Sequence, residues 1–156
     1  MFRPLTTTLI LCTALGAGAA FADSHNANPA VKARQAHMQL YLHNLIPMIQ
    51  MIRGTAEYDA EAATARASNI AALTQLDQST YWVPGTDSDA LPGQSKALPA
   101  LWDNIPDAIA KGQAVAEAAA NLAATAGDGP DALRAGFGPL NTACNACHED
   151  YQLVEE

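Results

Sequence analysis

Three cysteines, 6% aromatic residues and only 8 Lys+Arg against 16 Asp+Glu are what this 156-residue chain has in short supply. Each shortage removes a class of function. Cys12 stands alone in an apolar stretch, and Cys144 and Cys147 lie together near the C-terminus, so there is no disulfide framework. The deficit of basic side chains tells against nucleic acid or an anionic membrane as partner. It suits solubility, and equally a protein partner with a basic docking patch. No segment reads convincingly as a strand, and helical spacing prevails throughout.

The N-terminus has the marks of an export signal. Met1-Phe2-Arg3 carries a positive charge, Leu5 to Ala20 is apolar or small, and Ala20-Phe21-Ala22 is an A-x-A cleavage site. The apolar stretch is short for a bilayer span. Cys12 follows Leu11, where a lipoprotein would have a small residue, and it is discarded with the signal. Residues 1–22 are therefore expected to be removed, leaving one domain over 23–156 in the bacterial periplasm. Losing Arg3 leaves 7 Lys+Arg against 16 Asp+Glu, a formal charge of −9.

Cys144-Asn145-Ala146-Cys147-His148 is the attachment sequence for c-type haem. Each thiol adds across a porphyrin vinyl group, and the following His places an imidazole nitrogen on iron. On a helix Cys144 and Cys147 are i, i+3 and Cys144 and His148 are i, i+4, so all three reach one side of the same turn. A thioredoxin-like dithiol would need a preceding strand. A structural zinc site would need a fourth ligand, and no second cluster exists. One covalent haem c is the expected cofactor, with His148 as its proximal iron ligand.

Four helices can be read. The first, Pro29 to Arg53, has an apolar seam of Val31, Met38, Leu42, Leu45, Ile49 and Ile52, with Gln35 in the one polar slot and Gly54 as a C-terminal stop. The second starts at Asp59 as N-cap and runs to about Leu76, with Ile70, Leu73 and Leu76 inward. Residues 78–99, with three prolines, form a long loop whose Tyr81 and Trp82 plug back onto the bundle. The third covers Leu101 to Ala126, and Pro130 or Asp131 opens the fourth. That last helix carries Leu133, Phe137, Leu140, Cys144, Cys147, Tyr151 and Val154 on one seam. The expectation is all-α: an up-down-up-down antiparallel four-helix bundle with haem in its core.

This pattern resembles the cytochrome c′ family, including its low-spin relatives. The resemblance rests on Val31-Lys32-Ala33-Arg34-Gln35, Met38 three residues later, Gly54, Tyr58-Asp59-Ala60, Trp102, and Cys-x-x-Cys-His followed by Glu149-Asp150-Tyr151. It implies that Arg34 and Gln35 sit near the haem propionates and that Met38 faces the open side of the haem. It also implies a possible homodimer through the first helix, where His37, Tyr41, Met48 and Met51 form a strip that is either core edge or dimer surface. Gln152 stands where the family usually has a basic residue.

Met38 then decides the type of cytochrome. A thioether on iron gives a six-coordinate, low-spin His/Met haem suited to electron transfer. An unligated Met38 leaves a five-coordinate, high-spin iron that binds NO or CO, as in gas scavenging or storage. His37, His43 and His25 are less suitable ligands, each off the seam or in the N-terminal segment. A peroxidase-like enzyme is disfavoured, because Met38 takes the direction where acid–base groups would stand.

Overall fold

The structure, a computed structural model, describes residues 27–154. The expected export signal over 1–22, with Cys12, and also His25 lie outside the described residues. Five helices follow in order: α1 (Pro29–Arg53), α2 (Ala60–Thr74), α3 (Ala100–Asp103), α4 (Ile105–Thr125) and α5 (Pro130–Tyr151). The described residues contain no strand, only an isolated antiparallel bridge between Ala97 and Gln152. The long helices α1, α2, α4 and α5 make the expected up-down-up-down bundle.

Local signals set most boundaries. The Asn28 side chain accepts hydrogen bonds from the Ala30 and Val31 amides, and Pro29 takes the first helical position, where its missing N–H costs nothing. Gly54, at φ 72°, closes α1 with its amide on the Gln50 and Met51 carbonyls. Asp59 caps α2 through the Ala62 amide. The expected third helix is in fact broken at Asn104 (φ −134°, ψ 53°). Pro106 cannot donate to Trp102, so the chain stops after one turn and restarts with Pro106 inside the first turn of α4. The second helix ends at Thr74, and Leu76, expected inward, is 49% exposed beyond it.

The core is built from Met48, Ile70, Leu122, Leu133 and Leu140, with Ala63, Ala67, Ala118, Ala119 and Ala126 between them. The alanines let α2 and α4 approach closely. Tyr58 locks the lower turn, its hydroxyl donating to the Ala126 carbonyl and accepting from the Gly129 amide. A Cβ on Gly127 would overlap the Thr64 hydroxyl and touch the Ala60 carbonyl. Gly127→Ala should therefore lower thermal stability by about 1–3 kcal/mol, and adding Thr64→Ala should recover much of it. A double-mutant cycle of unfolding free energies reads this directly.

On α1 the buried edge differs from the expected seam. Val31, Arg34, His37, Asn44 and Met48 are buried, whereas Met38 is 36% and Leu42 is 45% exposed. The strip of His37, Tyr41 and Met48 faces inward rather than serving as a dimer surface, and Asn44 meets Asn69 of α2. Of the expected seam Val31 is buried, Leu45 packs on the core, and Ile49 and Ile52 share a cleft of about 340 Å³ with Phe137, Gly138 and Asn141 of α5. Apolar residues line both edges of α1, so period alone could not choose between neighbours. On α5 the expected seam holds from Leu133 to Tyr151. Val154 lies past the helix end and is 79% exposed.

Candidate functional site

The haem motif occupies the last two turns of α5. Cys144 and Cys147 are half-buried free thiols, and His148 is exposed. Burial is the main influence on both thiols and holds them above the ordinary cysteine range. That is opposite to an activated redox dithiol, whose thiolate is stabilised. No three His, Cys, Asp or Glu side chains among the described residues converge as a small-ion site.

Met38, three helical turns before Ile49, falls by spacing on the α1 face that lines a cleft with α5. These antiparallel helices meet at one end through Arg134, whose Nη2 donates to the Ile52 carbonyl at 3.1 Å. Half-way along, Tyr41 feels the charge of Cys144; burial first, then that charge, pushes the Tyr41 hydroxyl up to about 12. One turn further in opposite chain directions come Met38 on α1 and His148 on α5. His148 is also seven residues beyond Asn141, and Cys144 seven beyond Phe137, so both continue the face that lines the cleft. An imidazole, two thiols on its own turn and a facing thioether with Leu42 beside it fit a flat apolar macrocycle standing between the helices. Haem c would be held by Cys144, Cys147 and His148 there.

Arg34 sits one turn above Met38, at the same end of the bundle, and is 6% exposed. Its Nη1 donates to the Tyr81 carbonyl at 2.6 Å and the Thr86 hydroxyl at 2.7 Å. Its Nη2 donates to the Thr86 carbonyl at 2.7 Å and the Ser95 hydroxyl at 3.2 Å. The guanidinium also lies over the rings of Trp82 and Trp102, at 5.1 and 5.8 Å. Tyr81 and Trp82 thus plug the bundle as the sequence suggests, with Arg34 as the hub. The fork expected to meet a propionate is engaged by the loop. No carboxylate among the described residues pairs with Arg34, so its charge still gives this end of the cleft a positive field. Gln35 is exposed and its amide donates to the Gln94 carbonyl at 2.9 Å.

His37 is 4% exposed, flanked by the rings of Tyr41 (4.8 Å) and Tyr81 (5.7 Å). Its Nε2 is buried without a hydrogen-bond partner, and burial lowers its pKa. His43 is exposed on the α1–α2 side. Gln152 is extended, pinned by the bridge to Ala97, and leaves that position uncharged. Sequence reasoning missed Lys111, which joins Asp107 and Asp150 beside Cys147. The i, i+4 spacing of Asp107 and Lys111 was the available signal. Their meeting with α5 is a tertiary fact.

Comparison with known proteins agrees with this architecture. The profile of the family described as Cytochrome C′ matches residues 29–152. The chain is 35% identical over 145 residues to cytochrome c′ of Cereibacter sphaeroides, covering 93% of this chain and 97% of that one. The solved cytochrome c′ of Rhodobacter sphaeroides superposes with a TM-score of 0.78 at 36% identity, over 81% of this chain and 96% of that chain. A nitric oxide complex of a variant cytochrome c′ from Alcaligenes xylosoxidans gives 0.69 at 31% identity, over 81% and 94%. None of the helices among the described residues is long and apolar enough to cross a membrane. With the motif on the last helix, the bundle around it and these matches together, the chain belongs to the cytochrome c′ family, c-type cytochromes that carry one covalently bound haem c.

Proposed function

We propose that this chain is a periplasmic single-electron carrier, not an enzyme, whose iron has His148 and Met38 as axial ligands. What supports it is the cleft in which Ile49 and Ile52 of α1 face Phe137 and Asn141 of α5, since helical spacing puts Met38 and His148 on those same two faces. Bound there, haem c supplies a one-electron couple that His/Met ligation biases toward high potential. Cys144 and Cys147 would anchor the macrocycle, with Leu42 one turn from Met38 as an apolar neighbour. Arg34 holds the 78–99 loop over the open end and lends a positive field to the propionates, with Gln35 at their rim. The acidic surface favours a partner with a basic docking patch.

A second reading has Met38 unligated and the iron five-coordinate, open to NO or CO. The nitric oxide complex of the related Alcaligenes xylosoxidans variant favours it. Homodimerisation in either case would use apolar surface still exposed on α1 and just past the end of α2, such as Leu40 (50%) and Leu76 (49%).

Optical and EPR spectra of the ferric and ferrous holoprotein test the axial assignment. The wild type is expected to be low-spin in both states and to react weakly with CO. Met38→Ala is expected to become high-spin when reduced and to bind CO readily. A high-spin wild type whose spectrum survives Met38→Ala would favour the gas-binding reading instead.

A further inference from the structure

The turn that carries the motif is clamped from α4. Lys111 Nζ lies 2.5 Å from Asp107 Oδ2 and 3.0 Å from Asp150 Oδ2, and 5.6 Å from the centre of the Tyr151 ring. The Tyr151 hydroxyl donates to Asp107 Oδ2 at 2.6 Å. Asp150 and Tyr151 follow His148 by two and three residues. The Lys111 side chain is only 18% exposed, so bulk salt screens it less than an ordinary surface lysine. Asp150 and Tyr151 are also i+3 and i+4 from Cys147 on α5, so the cluster stands on the same side of the helix as that thiol.

A group attached at Cys147 therefore sits beside one ammonium and two carboxylates. Reduction adds an electron to that group, so a nearby cation favours the reduced form and nearby carboxylates the oxidised form. We propose that Lys111, held by Asp107 and Asp150 beside Cys147, sets the reduction potential of the haem by offsetting the two carboxylates. This rests on haem attachment at Cys144 and Cys147 and is independent of whether the Met38 sulfur reaches iron. If the cluster merely ties α4 to α5, losing either sign of charge should lower stability alike and leave the potential unmoved.

Spectroelectrochemical potentials of the holoprotein separate the two. Lys111→Met should shift the redox equilibrium about tenfold toward the oxidised form, ~59 mV for one electron. Asp150→Asn should shift it the other way and by less, since Asp150 is 57% exposed. Lys111→Arg should stay near the wild type. Shifts of the same sign, or none, would overturn the proposal. Should Lys111→Met fail to fold, Asp150→Asn decides alone, and an unchanged or lowered potential overturns it. Haem staining after denaturing electrophoresis accompanies each variant. An unmoved potential with haem attached refutes only the role of Lys111, whereas a wild type without covalent haem removes the attachment reading and the proposal together.

Discussion

Serine at both Cys144 and Cys147 is expected to abolish covalent haem completely. The two thiols lie on one face of α5, half-buried and unpaired, and the serine hydroxyl is nearly isosteric but too weak a nucleophile to add across a vinyl group. The change should cost little in packing, because neither side chain belongs to the fully buried core. His148 remains, so any haem still bound would be held only by coordination and apolar contact. Acidified organic solvent should then extract it, and the denatured chain should have the mass of the polypeptide alone. Each single replacement should leave one thioether. Haem that survives extraction in the double variant would mean attachment elsewhere.

Arg34→Ala is expected to be the most damaging single change in the polar part of the fold. Arg34 organises the 78–99 loop through four donated hydrogen bonds and two indole faces. Alanine would strand the Tyr81 and Thr86 carbonyls and open a void between Trp82 and Trp102. A buried polar group left without its partner costs about 1–3 kcal/mol, and lost cation–π contact adds about 0.5–2 kcal/mol. The terms share one relaxation and do not simply add, so a net loss of about 4 kcal/mol is expected. Thermal unfolding should show it, and limited proteolysis should cut within residues 78–99. Arg34→Lys keeps the charge but not the fork, and should fall between. A variant as stable and protease-resistant as the wild type would contradict the hub role of Arg34.

Much of this arrangement can be read from the chain because its signals are local. Asn28-Pro29, Gly54, Asp59 and Pro130 act within one turn, and each ends or opens a helix as its chemistry dictates. The motif is equally local, since its three side chains share a turn. What could not be read depends on partners distant in sequence. Both edges of α1 are apolar, so only its packing reveals that His37 and Met48 turn inward while Met38 stays exposed. Arg34 is an ordinary helix arginine until the loop, 47 to 61 residues away, folds over it. Lys111 gains its significance from two residues of α5. The break at Asn104 could have been anticipated from Pro106, had its missing donor been weighed against a continuous helix.

The central claim is that a thioether from α1 meets the iron opposite His148. Proton NMR of the reduced holoprotein, compared with Met38→Ala, tests it most directly. A methionine bound to diamagnetic ferrous haem lies against the ring, so its methyl and methylene protons should appear far upfield of every ordinary resonance. That set should vanish in Met38→Ala and persist when Met48 or Met51 is replaced. A reduced wild type with paramagnetically broadened haem signals and no upfield methionine set would contradict the account and leave the iron five-coordinate.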